Sequence, residues 1–83
     1  MKIISLNVNG INASFKKGLL DFINKENPDI LCLQEIKTTE KRIPTKLVDI
    51  PNYNNYFFPR QGGYWGGVAT YTKIKPKKSQ KRF

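Results

Sequence analysis

The sequence predicts an α/β fold, a βαβ unit followed by a hairpin, and three observations carry that prediction. A short run rich in β-branched residues ends in a turn pair. Apolar residues at helical spacing follow it. An unbroken apolar tetrad then closes a strand–helix–strand unit within about 34 residues.

Each element has its own justification. Ile3, Ile4, Leu6 and Val8 stop at Asn9-Gly10, a pair that favours turns, so a strand is expected over 2–8. Phe15, Leu19, Phe22 and Ile23 fall on one face of a helix, for which Ser14 offers an N-cap and Asn27-Pro28 the stop. The run Ile30, Leu31, Cys32, Leu33 suits a strand buried on both faces, as in a parallel sheet. Residues 36–52 are polar, carry Pro44 and Pro51, and read as a loop with one short helical turn over 46–49. A third strand is expected over 53–58 and a fourth over 68–72, paired as a hairpin across the glycine-dense turn 61–67.

Composition narrows the function. With 83 residues the chain holds one domain at most. It has no histidine, which removes a His general base, Ser-His and Cys-His pairs and His-ligated zinc. A single cysteine permits no internal disulfide. The net charge of +9 points toward a polyanionic partner, but six of the cations lie in residues 73–83. Residues 1–72 are therefore read as the folded part and 73–83 as a basic, disordered tail, which either binds nucleic acid or is merely solvated. The opening segment, broken by Ser5, Asn7 and Asn9, is not a signal peptide, and no stretch is long enough to span a membrane. An intracellular, membrane-free monomer is expected.

Candidate chemistry follows from the topology. A βαβ crossover makes its two strands parallel, so their carboxyl ends share one rim, where open α/β sheets place ligands. Asn7, Asn9 and Glu35 fall at that rim. A carboxylate and amides supply oxygen donors, the type that Mg²⁺ or Mn²⁺ prefers. Two other readings stay open: Asn7 holding the Glu35 carboxylate or a phosphate oxygen through its NH₂ group, and Glu35 pairing with Lys37 or Lys2. In the glycine-dense turn, Tyr64-Trp65 either stacks on nucleic acid or folds back on the sheet of a wide hairpin.

Three segments together resemble a known family. Ile4-Ser5-Leu6-Asn7-Val8-Asn9-Gly10-Ile11 resembles the opening motif of the exonuclease III / apurinic-apyrimidinic endonuclease family, within the endonuclease/exonuclease/phosphatase superfamily. Pro28-Asp29-Ile30-Leu31-Cys32-Leu33-Gln34-Glu35-Ile36-Lys37 is similar to its second motif, with Ile36 in place of the usual Thr. Gly63-Tyr64-Trp65-Gly66-Gly67-Val68-Ala69 is similar to its glycine turn, one residue longer here.

The resemblance implies a portion of a four-layered, DNase I-like α/β sandwich, with the sheet's apolar face left open where a second sheet would pack. It implies Asn7 and Glu35 as catalytic residues, with Glu35, Asn7 and Asn9 around a Mg²⁺ or Mn²⁺ ion. Lys37, Tyr64, Asn12 and Lys17 match positions that approach DNA. The implied function is that of a metal-dependent DNA-repair nuclease acting on damaged double-stranded DNA, at abasic sites or 3' ends. It would reside in the nucleus of a eukaryote or the cytoplasm of a prokaryote. The family's later His, Asp and Tyr motifs have no counterpart in the sequence, so a fragment inactive alone is expected. Two alternatives stand beside it: a small basic nucleic-acid-binding module without catalysis, and an endonuclease fragment of a non-LTR retroelement.

Overall fold

Strands β1 (Ile3–Asn7) and β2 (Ile30–Gln34) lie side by side and parallel in the computed structural model, which describes residues 1–60, 63 and 65–74. Their register pairs Ile3 with Ile30 and Asn7 with Gln34, so both strands end at the same rim. Strand β4 (Val68–Thr72) runs antiparallel on the other flank of β2, and β3 (Asn54–Phe58) pairs antiparallel with β4. The sheet order is β1-β2-β4-β3. The expected βαβ unit and hairpin are both present. Tyr53 stays outside β3, its N–H turned back to the Ile50 carbonyl at 3.2 Å.

The single helix expected after Ser14 is two helices, α1 (Ile11–Lys16) and α2 (Leu19–Glu26). The turn at Asn9-Gly10 leads straight into α1, so Ser14 lies inside it. There its Oγ donates to the Val8 carbonyl at 2.6 Å and ties the helix to the end of the first strand. Gly18 takes the left-handed conformation, φ 106, which interrupts the helix and resets its phase. The apolar stripe counted across that break is consequently displaced: Leu19 and Ile23 are buried, whereas Phe22 is exposed. The predicted stop is correct, since Asn27 adopts φ 49 and donates its N–H to the Ile23 carbonyl at 2.8 Å just before Pro28. The connection to β3 holds a 3₁₀ turn at Glu40–Arg42 and a short helix, α3 (Thr45–Val48).

One face of the sheet carries the core. Leu31, Leu33, Ala69 and Tyr71 are buried there together with Ile11, Leu19 and Ile23 from the helices and Ile36, Ile43, Leu47 and Ile50 from the connection. Full burial of each such Leu or Ile contributes about 1.5–3 kcal/mol. The Tyr71 hydroxyl donates to the Leu47 carbonyl at 2.6 Å, and its ring meets Tyr53 and Phe57 edge to face. The opposite face is open: Ile3, Tyr56, Phe58 and Val68 are exposed. Among the described residues β2 is thus buried on one face, with Ile30 and Cys32 half-buried on the other, because the described helices pack against Leu31 and Leu33.

Lys73 and Ile74 belong with this fold. Lys73 donates its N–H to the Asp29 carbonyl at 3.0 Å and its Nζ to Asn27 Oδ1 at 2.6 Å. The rest of the expected tail, residues 75–83, lies outside the described residues. Among the described residues no helix is long and apolar enough to cross a membrane.

Candidate metal and phosphate site

Beyond the strand ends, backbone hydrogen bonds keep the two chains together. Val8 donates to the Gln34 carbonyl at 3.0 Å, Gly10 to Glu35 at 2.8 Å and Ile11 to Ile36 at 2.9 Å. From the other side, Ile36 and Lys37 donate to the carbonyls of Gly67 and Gly66 at 3.2 and 2.9 Å. Segment 35–37 is therefore clamped between the opening loop and the β3–β4 loop. Ile36 is fully buried, which anchors the segment in the core and leaves Glu35 and Lys37 together at the rim.

Four residues form a closed ring there, one of its links supplied by a backbone N–H. Asn7 Nδ2 donates to the Glu35 carboxylate, and Asn7 Oδ1 accepts the Asn9 backbone N–H at 2.9 Å. Lys37 Nζ donates to Asn9 Oδ1 and stands 3.7 Å from Glu35 Oε1. The amide orientation of Asn7 is over-determined, because the reverse would set its NH₂ against an N–H and its oxygen against a carboxylate. Asn9, Glu35 and Lys37 all take left-handed backbone, with φ of 47, 55 and 49. Such geometry costs of order 1–3 kcal/mol per non-glycine residue and concentrates at sites that must aim side chains. Lys2, the other candidate partner of Glu35, is engaged elsewhere, with Glu26 at 2.8 Å.

These residues fit a hard divalent cation. Glu35 offers one partly exposed carboxylate, and Mg²⁺ commonly takes only one or two, leaving its other positions to water and phosphate. The side-chain oxygens of Asn7 and Asn9, the other expected ligands, each accept one hydrogen bond, from the Asn9 N–H and from Lys37 Nζ, and each keeps a second lone pair. Among the described residues no three His, Cys, Asp or Glu side chains come together so as to hold a metal ion by themselves.

The expected DNA-facing positions divide. Lys37 belongs to the ring. Asn12 turns its Nδ2 to Thr38 Oγ1 at 3.2 Å and fastens α1 to the clamped segment. Lys17 stands past the far end of α1, about 9 Å along the helix from Ile11. Tyr64 lies outside the described residues. Ser14, expected only as a helix cap, and Thr38, not singled out by the sequence, hold the loops around the ring through their hydroxyls. Nothing in their spacing marks that role, since each acts on a partner brought near only by the fold.

A carboxylate steadied by amides and flanked by a lysine, at the carboxyl ends of parallel strands, suits an α/β protein that handles phosphate esters through a bound cation. The chain belongs to the endonuclease/exonuclease/phosphatase family, which it matches over residues 4–83. It is 44% identical over 79 residues to the DNA repair nuclease APEX1 of Danio rerio, covering 92% of this chain and 25% of that protein. Among solved structures it resembles an AP endonuclease from Archaeoglobus fulgidus, with TM-score 0.75 and 29% identity over 92% of this chain and 28% of the other. It also resembles a Neisseria 3' phosphatase solved with a product DNA hairpin, with TM-score 0.76 and 26% identity over 93% of this chain and 29% of the other. The fold is accordingly a portion of the DNase I-like architecture, as the sequence motifs imply. The chain spans 11% to 30% of the length of the curated relatives it matches.

Proposed function

We propose that the chain is the cation- and phosphate-binding corner of a DNA-repair nuclease that hydrolyses phosphodiesters at abasic sites or 3' ends of damaged double-stranded DNA. Its ion is Mg²⁺ or Mn²⁺, and it works where DNA is, in the nucleus of a eukaryote or the cytoplasm of a prokaryote. The observation that carries this reading is the closed ring of Asn7, Glu35, Lys37 and Asn9. Glu35 would hold the ion through its carboxylate. A bound divalent ion polarises a phosphate oxygen and stabilises charge on the leaving oxygen. Asn7 fixes the direction of the Glu35 carboxylate, and Lys37 brings a positive charge to the place where a phosphate would enter. With Glu35 holding the ion, the amides of Asn7 and Asn9 offer no basic group to activate water, and the chain has no histidine to do so.

Two measurements test the proposal. Mn²⁺ titrated into the 83-residue chain and followed by electron paramagnetic resonance is expected to show one site that Glu35→Ala removes. Retention of that site in Glu35→Ala would overturn the assignment. On abasic-site duplex with Mg²⁺ the purified chain is expected to yield no product. Turnover that disappears in Glu35→Ala would show that the chain is a complete catalyst.

A further inference from the structure

The ring at the strand ends leaves one exposed feature of the same rim without a role. Trp65, the only tryptophan in the chain, is 56% exposed, yet it is not loose. The guanidinium carbon of Arg60 lies 3.7 Å from the centre of its ring, so a cation covers the indole without burying it. The backbone is shaped to permit this. A Cβ at Gly66 would stand 2.9 Å from Arg60 Cδ, and Gly66 has φ 69, so a side chain there would displace the arginine. The next step is the clamp itself, since the Gly66 carbonyl accepts the Lys37 N–H at 2.9 Å. The stacked pair is therefore one residue away from a hydrogen bond to the phosphate-handling segment. From residue 50 to the end the sequence contains no acid to repel a polyanion.

An indole held flat by a guanidinium offers an ordered aromatic surface with a positive charge beside it. That combination matches a nucleotide, whose base stacks on the ring while its phosphate meets the cation. We propose that Arg60 and Trp65 form a stacking platform for an unpaired base of the DNA strand whose backbone enters the Asn7–Glu35 rim. The proposal rests on the nuclease reading for the identity of the strand and on the Arg60–Trp65 geometry for the contact. Because base stacking needs an unpaired face, the platform favours single-stranded or locally opened DNA over intact duplex.

The lone tryptophan makes the test site-specific. Emission of Trp65 in the 83-residue chain is followed while a single-stranded oligo-dT or a fully paired duplex of equal length is added without metal. Strong quenching by oligo-dT and weak quenching by duplex are expected. Read by the anisotropy of a dye-labelled oligo-dT, because these variants carry no tryptophan, Trp65→Ala is expected to weaken affinity by about 5- to 100-fold and Trp65→Phe to retain most of it. Gly66→Ala, which moves Arg60, is expected to reduce the quenching. Unchanged emission at saturating oligo-dT, equal quenching by duplex, or undiminished affinity in Trp65→Ala would each overturn the platform. Glu35→Gln separates the two readings. If the Mn²⁺ site does not depend on Glu35 but quenching persists, the nuclease reading falls and the stacking contact stands. If the Mn²⁺ site depends on Glu35 but quenching is absent, the platform falls alone.

Discussion

Asn7 holds the carboxylate of Glu35, 28 residues further along the chain, across the ends of two adjacent parallel strands. The contact exists because β1 ends at Asn7, level with Gln34 at the end of β2, and Glu35 is the next residue, so the parallel register brings both side chains to one rim. It also assigns different duties to the two residues. Glu35 presents the charge, and Asn7, whose own oxygen accepts the Asn9 N–H, sets its direction.

That division predicts unequal effects on cation binding. Glu35→Ala should abolish the Mn²⁺ site. Asn7→Ala should weaken it by about 10- to 100-fold, the usual loss when a residue that orients a ligand is removed. The two affinities, measured by electron paramagnetic resonance in one buffer, decide the point. Equal, complete loss in both variants would show instead that Asn7 ligates directly.

Lys37 acts in the opposite sense on cations and anions. Its Nζ lies 3.7 Å from Glu35 Oε1, where it competes with a divalent ion for the same oxygen. Exposed pairs of this kind are worth about 0.2–1 kcal/mol. Lys37→Met should therefore tighten Mn²⁺ binding by roughly two- to fivefold, while oligonucleotide affinity falls. Parallel titrations of metal and oligonucleotide check both signs. A loss of both affinities would mean that Lys37 chiefly holds Asn9 and the loop.

Much of this site is legible in the sequence because strand ends are. An apolar run followed at once by Glu35, and another closed by Asn7-Val8-Asn9-Gly10, state where two strands stop, and a crossover makes them parallel. The internal wiring is not legible. Whether an amide shows its oxygen or its NH₂ depends on the Asn9 N–H, which points at Asn7 only once the turn has formed. A single helix is expected where two form for a related reason: apolar spacing continues smoothly across Gly18, although the backbone there is left-handed. The run Ile30, Leu31, Cys32, Leu33 also looks alike from both sides, and only the placement of the helices decides which side is covered. Arg60 and Trp65 meet because of Gly66, a contact that no periodicity encodes.

Tyr71 predicts the behaviour of the fold at alkaline pH. Burial pushes its phenol well above the ordinary 10, and its hydroxyl is committed to the Leu47 carbonyl. In the unfolded chain the same group ionises near 10, so above that pH the unfolded state holds fewer protons than the folded state. Stability is thus full below pH 10 and falls as pH rises through the window above it. Tyr53, also raised by burial and by Asp29, adds to the same trend. Urea midpoints from pH 8 to 11 should show this decline. Tyr71→Phe should flatten it while costing about 1–3 kcal/mol at neutral pH, because the Leu47 carbonyl is left without its donor.

The open face of the sheet makes the last prediction. Phe58 and Val68 are register partners on β3 and β4, and they are 62% and 45% exposed, while Ile3 on β1 is 63% exposed. Apolar surface of this extent binds hydrophobic dyes even when the protein is folded. Anilinonaphthalene sulfonate fluorescence should therefore rise in the presence of the native chain. Phe58→Ser combined with Val68→Thr should cut that signal, while the urea midpoint changes little, because side chains already facing water contribute within about 0.5 kcal/mol. Dye binding that is indifferent to both substitutions would place the accessible apolar surface elsewhere. A large stability loss would show that this face is packed in solution, with Phe58 and Val68 buried beneath something that approaches the sheet from the side opposite the helices.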